Sequence, residues 1–201
     1  MLPMKAVLAT ASAVSLTFGC DTLATLASPD FARLKARNIS WRAGYIDHMT
    51  PEELEAQISA GVAFAPVTYA LETDPAHTLA RLAALSIPKG VTVWLDIEGS
   101  GLGVADITSR INAWSKAVVD AGYQAGLYVG AGCPLSDAQL FALPYVTRYW
   151  QSCSDVPKVR ARGYCMLQMT PNDVTVEGED VDVDIVLRDF KGGYPTFAVA
   201  A

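Results

Sequence analysis

Short apolar runs alternate with helix-like segments along most of this chain. In the third and fourth helix-like segments, apolar residues recur every three or four positions, which is the spacing of a helix packed on a sheet. The fourth of these segments, at 104–121, shows this stripe most clearly: Val104, Ile107, Ile111, Trp114 and Val118. Strands that alternate with helices are typical of parallel βαβ units, so the pattern predicts an α/β fold. The five predicted strands are 16–21, 39–46, 62–70, 91–96 and 124–130.

The helices between these strands begin at recognisable capping signals. In Thr50-Pro51-Glu52-Glu53, Thr50 is placed to cap, Pro51 takes the first helical position and Glu53 completes a capping box. Gly61 is expected to end that helix. Asp74-Pro75 and Ser136 mark the starts of two further helices.

The alternation of strand-like and helix-like segments ends after residue 143. Three further strand-like runs, 145–152, 164–170 and 181–187, are joined by links that contain no amphipathic helix. Eight strands can close on themselves and leave no sheet edge. The sequence therefore predicts a TIM-like barrel of five β/α units followed by three strands.

The N-terminal segment has the outline of a leader. Lys5 precedes an apolar stretch, and residues 16–20 resemble a lipoprotein cleavage site. Cleavage at Cys20 would remove the first predicted strand, so we expect residues 1–15 to be an N-terminal extension or leader-like segment and residues 16–201 to form one barrel domain. No other run approaches the roughly 18 apolar residues of a membrane span, so no stable membrane insertion is expected.

Composition narrows the class of partner. Hydrophobic residues make up 51% of the 201 residues and charged residues 18%, which is typical of a packed globular protein. The net charge is −6, and no basic stripe is present. Since nucleic-acid-binding proteins present clustered Lys and Arg, this balance argues against such a partner. We expect a monomer.

The cysteines do not indicate a zinc site. They show no CxxC spacing, and the two histidines, His48 and His77, lie far from them in sequence. We interpret His77 as a helix-surface residue. A Cys153–Cys165 disulfide and ordinary buried thiols both remain open. The four cysteines are Cys20, Cys133, Cys153 and Cys165.

Two acids finish the fourth predicted strand. The apolar run 91–95 ends in Asp96-Ile97-Glu98 and a glycine-rich loop. Side chains two apart on a strand point to the same face, with Cα atoms roughly 6.5 to 7 Å apart. Two carboxyl groups in one pocket cannot ionise independently, so one can stay protonated as an acid while the other is charged. Glycosidic-bond cleavage needs this arrangement.

Acids and aromatic residues are expected at the same rim as this pair. In a barrel of parallel strands, functional side chains lie where the strands end. Sugar faces stack on aromatic rings, and carboxylates and amides bind sugar hydroxyls, so the mixture suits a carbohydrate. The other candidates at strand ends are Asp21, Tyr45, Tyr128, Trp150, Gln168, Asp182 and Asp184.

These motifs, in this order, resemble the glycoside-hydrolase-like barrels related to the family 25 lysozymes, the Chalaropsis-type muramidases. The matching segments cover residues 16–190. They are Phe18-Gly19-Cys20-Asp21, Trp94-Leu95-Asp96-Ile97-Glu98, Gly126-Leu127-Tyr128-Val129-Gly130, Leu167-Gln168-Met169-Thr170 and Val181-Asp182-Val183-Asp184.

The resemblance implies roles for the acids. Glu98 would be the general acid that protonates the leaving glycosidic oxygen, and Asp96 would assist it. Asp21 and Asp182 would complete an acidic cleft. Substrate would be bound by the remaining rim residues, which are Tyr45, Tyr128, Trp150, Gln168 and Asp184.

Two segments depart from the family pattern. Cys20 stands where an aromatic or aliphatic residue is usual, and the last strand reads Val-Asp-Val-Asp-Ile where the family has an Asp-Leu-Asn type. Asp182 and Asp184 therefore compete for one role, and we assign it to Asp182.

Three functions fit these residues. The first is a lysozyme-like glycosidase that needs no cofactor or metal and acts on peptidoglycan or a related glycan outside the cell, as a secreted or phage-delivered enzyme. The second is a non-catalytic barrel that binds glycan or has a structural role. The third is a hydrolase in which Asp21, Asp96, Glu98 and Asp182 hold a hard cation such as magnesium.

Overall fold

The computed structural model describes residues 6–10, 18–71, 74–170, 174–176 and 178–200. Its helices are α1 (Ser28–Ala36), α2 (Pro51–Ser59), α3 (Pro75–Ala84), α4 (Val104–Asp120) and α5 (Asp137–Phe141). Its strands are β1 (Ala6–Thr10), β2 (Phe18–Asp21), β3 (Trp41–Tyr45), β4 (Ala63–Tyr69), β5 (Thr92–Asp96), β6 (Gln124–Val129), β7 (Val146–Gln151), β8 (Met166–Gln168), β9 (Val174–Val176), β10 (Glu179–Val186) and β11 (Thr196–Ala200).

Eight strands close into the predicted TIM-like barrel, in the order β2, β3, β4, β5, β6, β7, β8, β10 and back to β2. Five β/α units come first and three strands follow, so the predicted fold class is confirmed. The strands from β2 to β8 pair in parallel, whereas β10 runs antiparallel to both neighbours. The chain reverses between β8 and β10 through the short strand β9, and an antiparallel pairing needs no crossover helix.

The reversed direction of β10 decides which of its residues reach the rim. Its N-terminal half lies at the end of the barrel where the parallel strands finish, and Asp182 pairs with Asp21 of β2. Asp184, two residues further along β10, pairs with Gly19 and therefore lies deeper inside the barrel than Asp182.

Strand β11, which the sequence pattern did not predict, lies near the opposite end of the barrel. It pairs with β4 at Ala198–Phe64, and β1 pairs with β11. The buried Phe197 ring of β11 lies 5.1 Å from Trp41 inside the barrel. Side chains therefore fill the barrel from this end, and open space is left at the other.

The barrel interior is packed with large rings. Trp94 and Trp150 meet edge to face at 5.7 Å, in the geometry that aromatic quadrupoles favour. Only glycine fits at position 19, because the Trp41 ring occupies the space where a Cβ would be. A second apolar layer lies between the barrel and the surrounding helices and includes Ile107, Ile111 and Trp114.

The predicted capping box at α2 is only half formed. Thr50 Oγ1 accepts the Glu53 N–H at 3.1 Å, as expected. The Glu53 carboxylate does not return to the helix start, so that half of the prediction is wrong. It accepts instead from Arg42 Nη1 and from the Leu26 N–H, both at 2.9 Å, because a buried guanidinium needs a charged partner.

His77 lies on the surface of α3, as predicted. It is about half exposed, with Nε2 2.6 Å from Asp47 Oδ1. Cys20, Cys133 and Cys165 are free thiols, and Cys20 and Cys165 are buried. Across the described ranges, no helix is long and apolar enough to cross a membrane.

Candidate active site

A cavity of about 370 Å³ opens where the parallel strands end. Seven of the nine site residues predicted from sequence line it: Asp21, Tyr45, Glu98, Tyr128, Trp150, Gln168 and Asp182. The other two, Asp96 and Asp184, are buried behind this surface.

Glu98 is the acid of the predicted pair that faces the cavity. Its Oε1 accepts the Ala131 N–H at 2.7 Å. Its side chain lies directly over Gly130, where an added Cβ would come within 2.5 Å of the Glu98 Cβ. Gly130 and Ala131 are therefore positioning residues for this acid. The sequence pattern marked Gly130 only as the end of a strand.

Gly130→Ala is expected to lower activity by about a hundredfold or more, because a catalytic group displaced by about 1 Å loses roughly that much rate. The methyl group would force the Glu98 side chain away from the Ala131 N–H. Initial rates of the glycan hydrolysis that the sequence resemblance implies measure the loss. Gly132→Ala is the control, since a Cβ there meets nothing within 4 Å, although its positive φ adds backbone strain. Equal rates for Gly130→Ala and the unmutated protein would contradict this placement.

Asp96 has a different environment from Glu98, although the two were predicted to share one space. Its side chain is 5% exposed. Tyr45 Oη donates to its Oδ2 at 2.5 Å, and the Glu98 N–H donates to its Oδ1 at 2.7 Å. Burial raises the pKa of Asp96 to about 6, although both hydrogen bonds oppose the rise. Asp96 thus holds the turn that carries Glu98 and also holds the Tyr45 ring at the cavity wall.

Gln168 links two acids on the other side of the cavity. Its Nε2 donates to Asp182 Oδ2 at 2.8 Å and to Asp21 Oδ2 at 3.2 Å. Its Oε1 accepts from Tyr128 Oη at 3.3 Å and from the Cys153 N–H at 3.0 Å, which fixes the amide orientation. Burial raises the pKa of Asp21 to about 7.

This geometry does not favour the metal-dependent alternative. An amide N–H group, which is a donor, lies between Asp21 and Asp182, where a cation would need acceptors only. Among the residues that the structure describes, no three His, Cys, Asp or Glu side chains come together as metal ligands.

Two mostly buried aromatic residues line the cavity. The Tyr128 and Trp150 rings are 4.6 Å apart at 66°. Trp150 Nε1 donates to Asp184 Oδ1 at 2.9 Å. Asp184 is 0% exposed and does not line the cavity, so its position does not fit the direct substrate contact assigned to it from sequence.

A buried ion pair supports the rim loop 22–27, and sequence reasoning missed it. Arg42 Nη2 donates to the Ala24 carbonyl at 2.6 Å, and Glu53 accepts the Leu26 N–H. This loop brings Leu23, which is 73% exposed, to the cavity mouth. The available signal was Arg42 itself, a charged residue within an otherwise apolar strand.

The free energy of unfolding is expected to fall as the pH rises from about 4 to about 7. Asp96 and Asp21 have pKa values raised by burial to about 6 and about 7, whereas an unfolded aspartate titrates near 3.9. In this window the folded chain holds more protons than the unfolded chain. The free energy of unfolding therefore falls by at most about 1.4 kcal/mol per pH unit for each such carboxyl group, and this slope fades as the pH passes the folded pKa of that group.

Urea unfolding across this pH range measures that slope. Asp96→Asn cannot titrate at this position, so its slope should be shallower than that of the unmutated chain by about one proton below pH 6. A stability that increases steadily from pH 4 to pH 7 would contradict the raised pKa values.

Comparison with known proteins supports the fold. No protein-family model matches the sequence, and no curated protein matches it. Among solved structures, an uncharacterized B. stearothermophilus protein is similar with a TM-score of 0.67 and 16% identity, over 86% of this chain and 96% of that one. A family 25 glycosyl hydrolase from Bacillus anthracis is similar with a TM-score of 0.58 and 12% identity, over 85% of this chain and 88% of that one. At these identities the likeness shows a shared barrel fold alone.

Proposed function

We propose that this protein is a glycoside hydrolase that cleaves peptidoglycan or a related wall glycan, with Glu98 as the general acid. The observation that carries the proposal is the position of Glu98: it lines the cavity while one carboxyl oxygen is held by the Ala131 N–H. Because Oε1 accepts that hydrogen bond, a proton on this group would sit on Oε2. A carboxyl group held in one orientation is suited to proton transfer to a bound glycosidic oxygen.

The other acids would support the developing oxocarbenium charge. As the leaving oxygen takes the proton from Glu98, positive charge builds on the sugar ring. Asp21 and Asp182 line the cavity and are held by Gln168, so their position suits stabilisation of that charge. Asp96 assists from behind by fixing Tyr45 and the backbone at Glu98.

The cavity lining favours a glycan without strong negative charge. Among the described residues that line it, Asp21, Glu98, Asp180 and Asp182 are acids and none is Lys, Arg or His. Aromatic rings and carboxylates together suit sugar hydroxyl and N-acetyl groups. We propose a monomer that acts outside the cell, secreted or delivered by a phage, and that uses no cofactor.

Mass spectrometry of digested peptidoglycan tests this function. The full chain is incubated with purified walls of several chemotypes, and new reducing ends are measured alongside the masses of the released fragments. The expected result is muropeptides with a new reducing sugar. Release of peptides alone would overturn the proposal. Binding to walls without new reducing ends would instead favour a non-catalytic glycan-binding barrel.

A further inference from the structure

Asp184 is a buried acid that the proposed reaction does not use. It is 0% exposed, on β10 opposite Gly19, one level below the cavity surface. Its Oδ1 accepts the Trp150 indole N–H at 2.9 Å. Its Oδ2 is fully buried and has no hydrogen-bond donor among the described residues. An ionised carboxylate with one unsatisfied oxygen is costly in such a place.

Among the described residues, the ionisable groups that interact with Asp184 provide no counterion. Asp21 and Cys20 lie on β2, Asp182 lies on the same strand as Asp184, and Tyr128 lies on β6. The Cys20 side chain packs on the helix side of β2. The buried Arg42 forms its ion pair with Glu53. Burial, together with the neighbouring Asp21 carboxylate, raises the pKa of Asp184 well above its usual range.

We infer that Asp184 is a positioning residue that stays protonated in the working enzyme, donates its Oδ2–H to Asp21 and accepts the indole N–H of Trp150. The side chains of Asp21 and Asp184 lie within hydrogen-bonding reach of each other. The proton turns the unsatisfied Oδ2 into a donor, and Asp21 is its acceptor.

This arrangement joins two parts of the cavity lining through one buried group. Asp21 accepts one hydrogen bond from the Asp184 O–H in the barrel interior and another from the Gln168 N–H, so its carboxylate is held in one orientation. Trp150 is fixed through its indole nitrogen beside Tyr128. The effect of Asp184 on the reaction rests on the proposed function, but its protonated state does not.

Infrared spectroscopy tests the protonated state without a substrate. At about pH 9, where Asp21 and Asp96 with pKa values of about 7 and about 6 are ionised, the unmutated protein should still show the carbonyl band of one protonated carboxyl group. Asp184→Asn should lack this band, and Asp96→Asn should retain it. If the unmutated protein has no such band, or Asp184→Asn keeps it, the inference is overturned.

The effect of two substitutions on kcat tests the positioning role. The side-chain amide introduced by Asp184→Asn would present the same donor and acceptor as the protonated acid, so this variant should keep at least half of the activity near pH 6. Its pH profile should match that of the unmutated enzyme, because Asp184 keeps its proton over the whole working range. Asp184→Leu should lose at least tenfold in kcat.

A purely structural role for Asp184 predicts a different result. Folded Asp184→Leu would then keep the kcat of the unmutated enzyme, or folded Asp184→Asn would lose as much kcat as Asp184→Leu, and either outcome overturns the positioning role. If the unmutated chain hydrolyses no glycan at all, the proposed function fails, while the infrared result still decides whether Asp184 holds a proton.

Discussion

Replacing Glu98 with glutamine is expected to slow glycan hydrolysis by about 10²- to 10⁴-fold, which is the usual contribution of a positioned general acid. Glutamine has nearly the same shape, and its carbonyl oxygen can still accept the Ala131 N–H. It cannot give a proton to the leaving oxygen. The loss should therefore appear in kcat, while binding of the glycan persists. Reducing-end assays over a range of glycan concentrations separate the two.

A matched control excludes a general effect of removing one negative charge. Glu55→Gln makes the same chemical change on the exposed face of α2, at a residue that does not line the cavity. It should leave the rate and the melting temperature unchanged. The role of Glu98 is refuted if Glu98→Gln hydrolyses peptidoglycan as fast as Glu55→Gln, provided that both variants are folded by circular dichroism.

The barrel could be predicted from sequence because its signals are local. Thr50, Asp74 and Ser136 each accept a backbone N–H at the helix start where the sequence placed a cap. The five β/α units follow from the alternation of apolar runs and helical stripes, and their observed bounds lie within a few residues of the predicted ones. Strand β11 was missed because its barrel partner, Phe64 on β4, is distant in sequence and no local pattern indicates the pairing.

Seven residues that line the cavity could be named from sequence, but the different environments of Asp96 and Glu98 could not be predicted. Asp96 and Glu98 are two residues apart, and the pattern placed them in one space. What separates them is contact with residues far along the chain: Tyr45, 51 positions before Asp96, and Ala131, 33 positions after Glu98. Glu53 is a similar case, since the capping-box motif is local but the competing partner Arg42 is on another element.

The direction of β10 also lay beyond the sequence pattern. Asp182 and Asp184 share a face in any extended strand, so either could reach the cavity. The antiparallel register with β2 puts Asp182 beside Asp21 at the rim and sends Asp184 into the barrel. One two-residue step along the strand thus separates a cavity acid from a fully buried one.

The second large effect is expected from Arg42, whose removal should lower the free energy of unfolding by about 3 to 5 kcal/mol. The Arg42 and Glu53 side chains are 3% and 4% exposed and meet at 2.9 Å. Arg42→Met preserves the volume of the side chain but leaves the Glu53 carboxylate buried without its counterion. Chemical denaturation measures the loss. Arg33→Met is the control, because Arg33 pairs with Asp30 on the exposed side of α1 and such pairs contribute at most about 1 kcal/mol.

A double variant separates the uncompensated charge from the lost contacts. In Arg42→Met/Glu53→Leu no charge is left buried, so at least half of the lost stability should return. The Leu26 N–H and the Ala24 carbonyl still lose their partners, so hydrogen exchange in the loop 22–27 should stay faster than in the unmutated chain. Because this loop carries Leu23 at the cavity mouth, KM should rise more than kcat falls. Equal losses of stability in Arg42→Met and Arg33→Met would show that the buried pair does not support the rim.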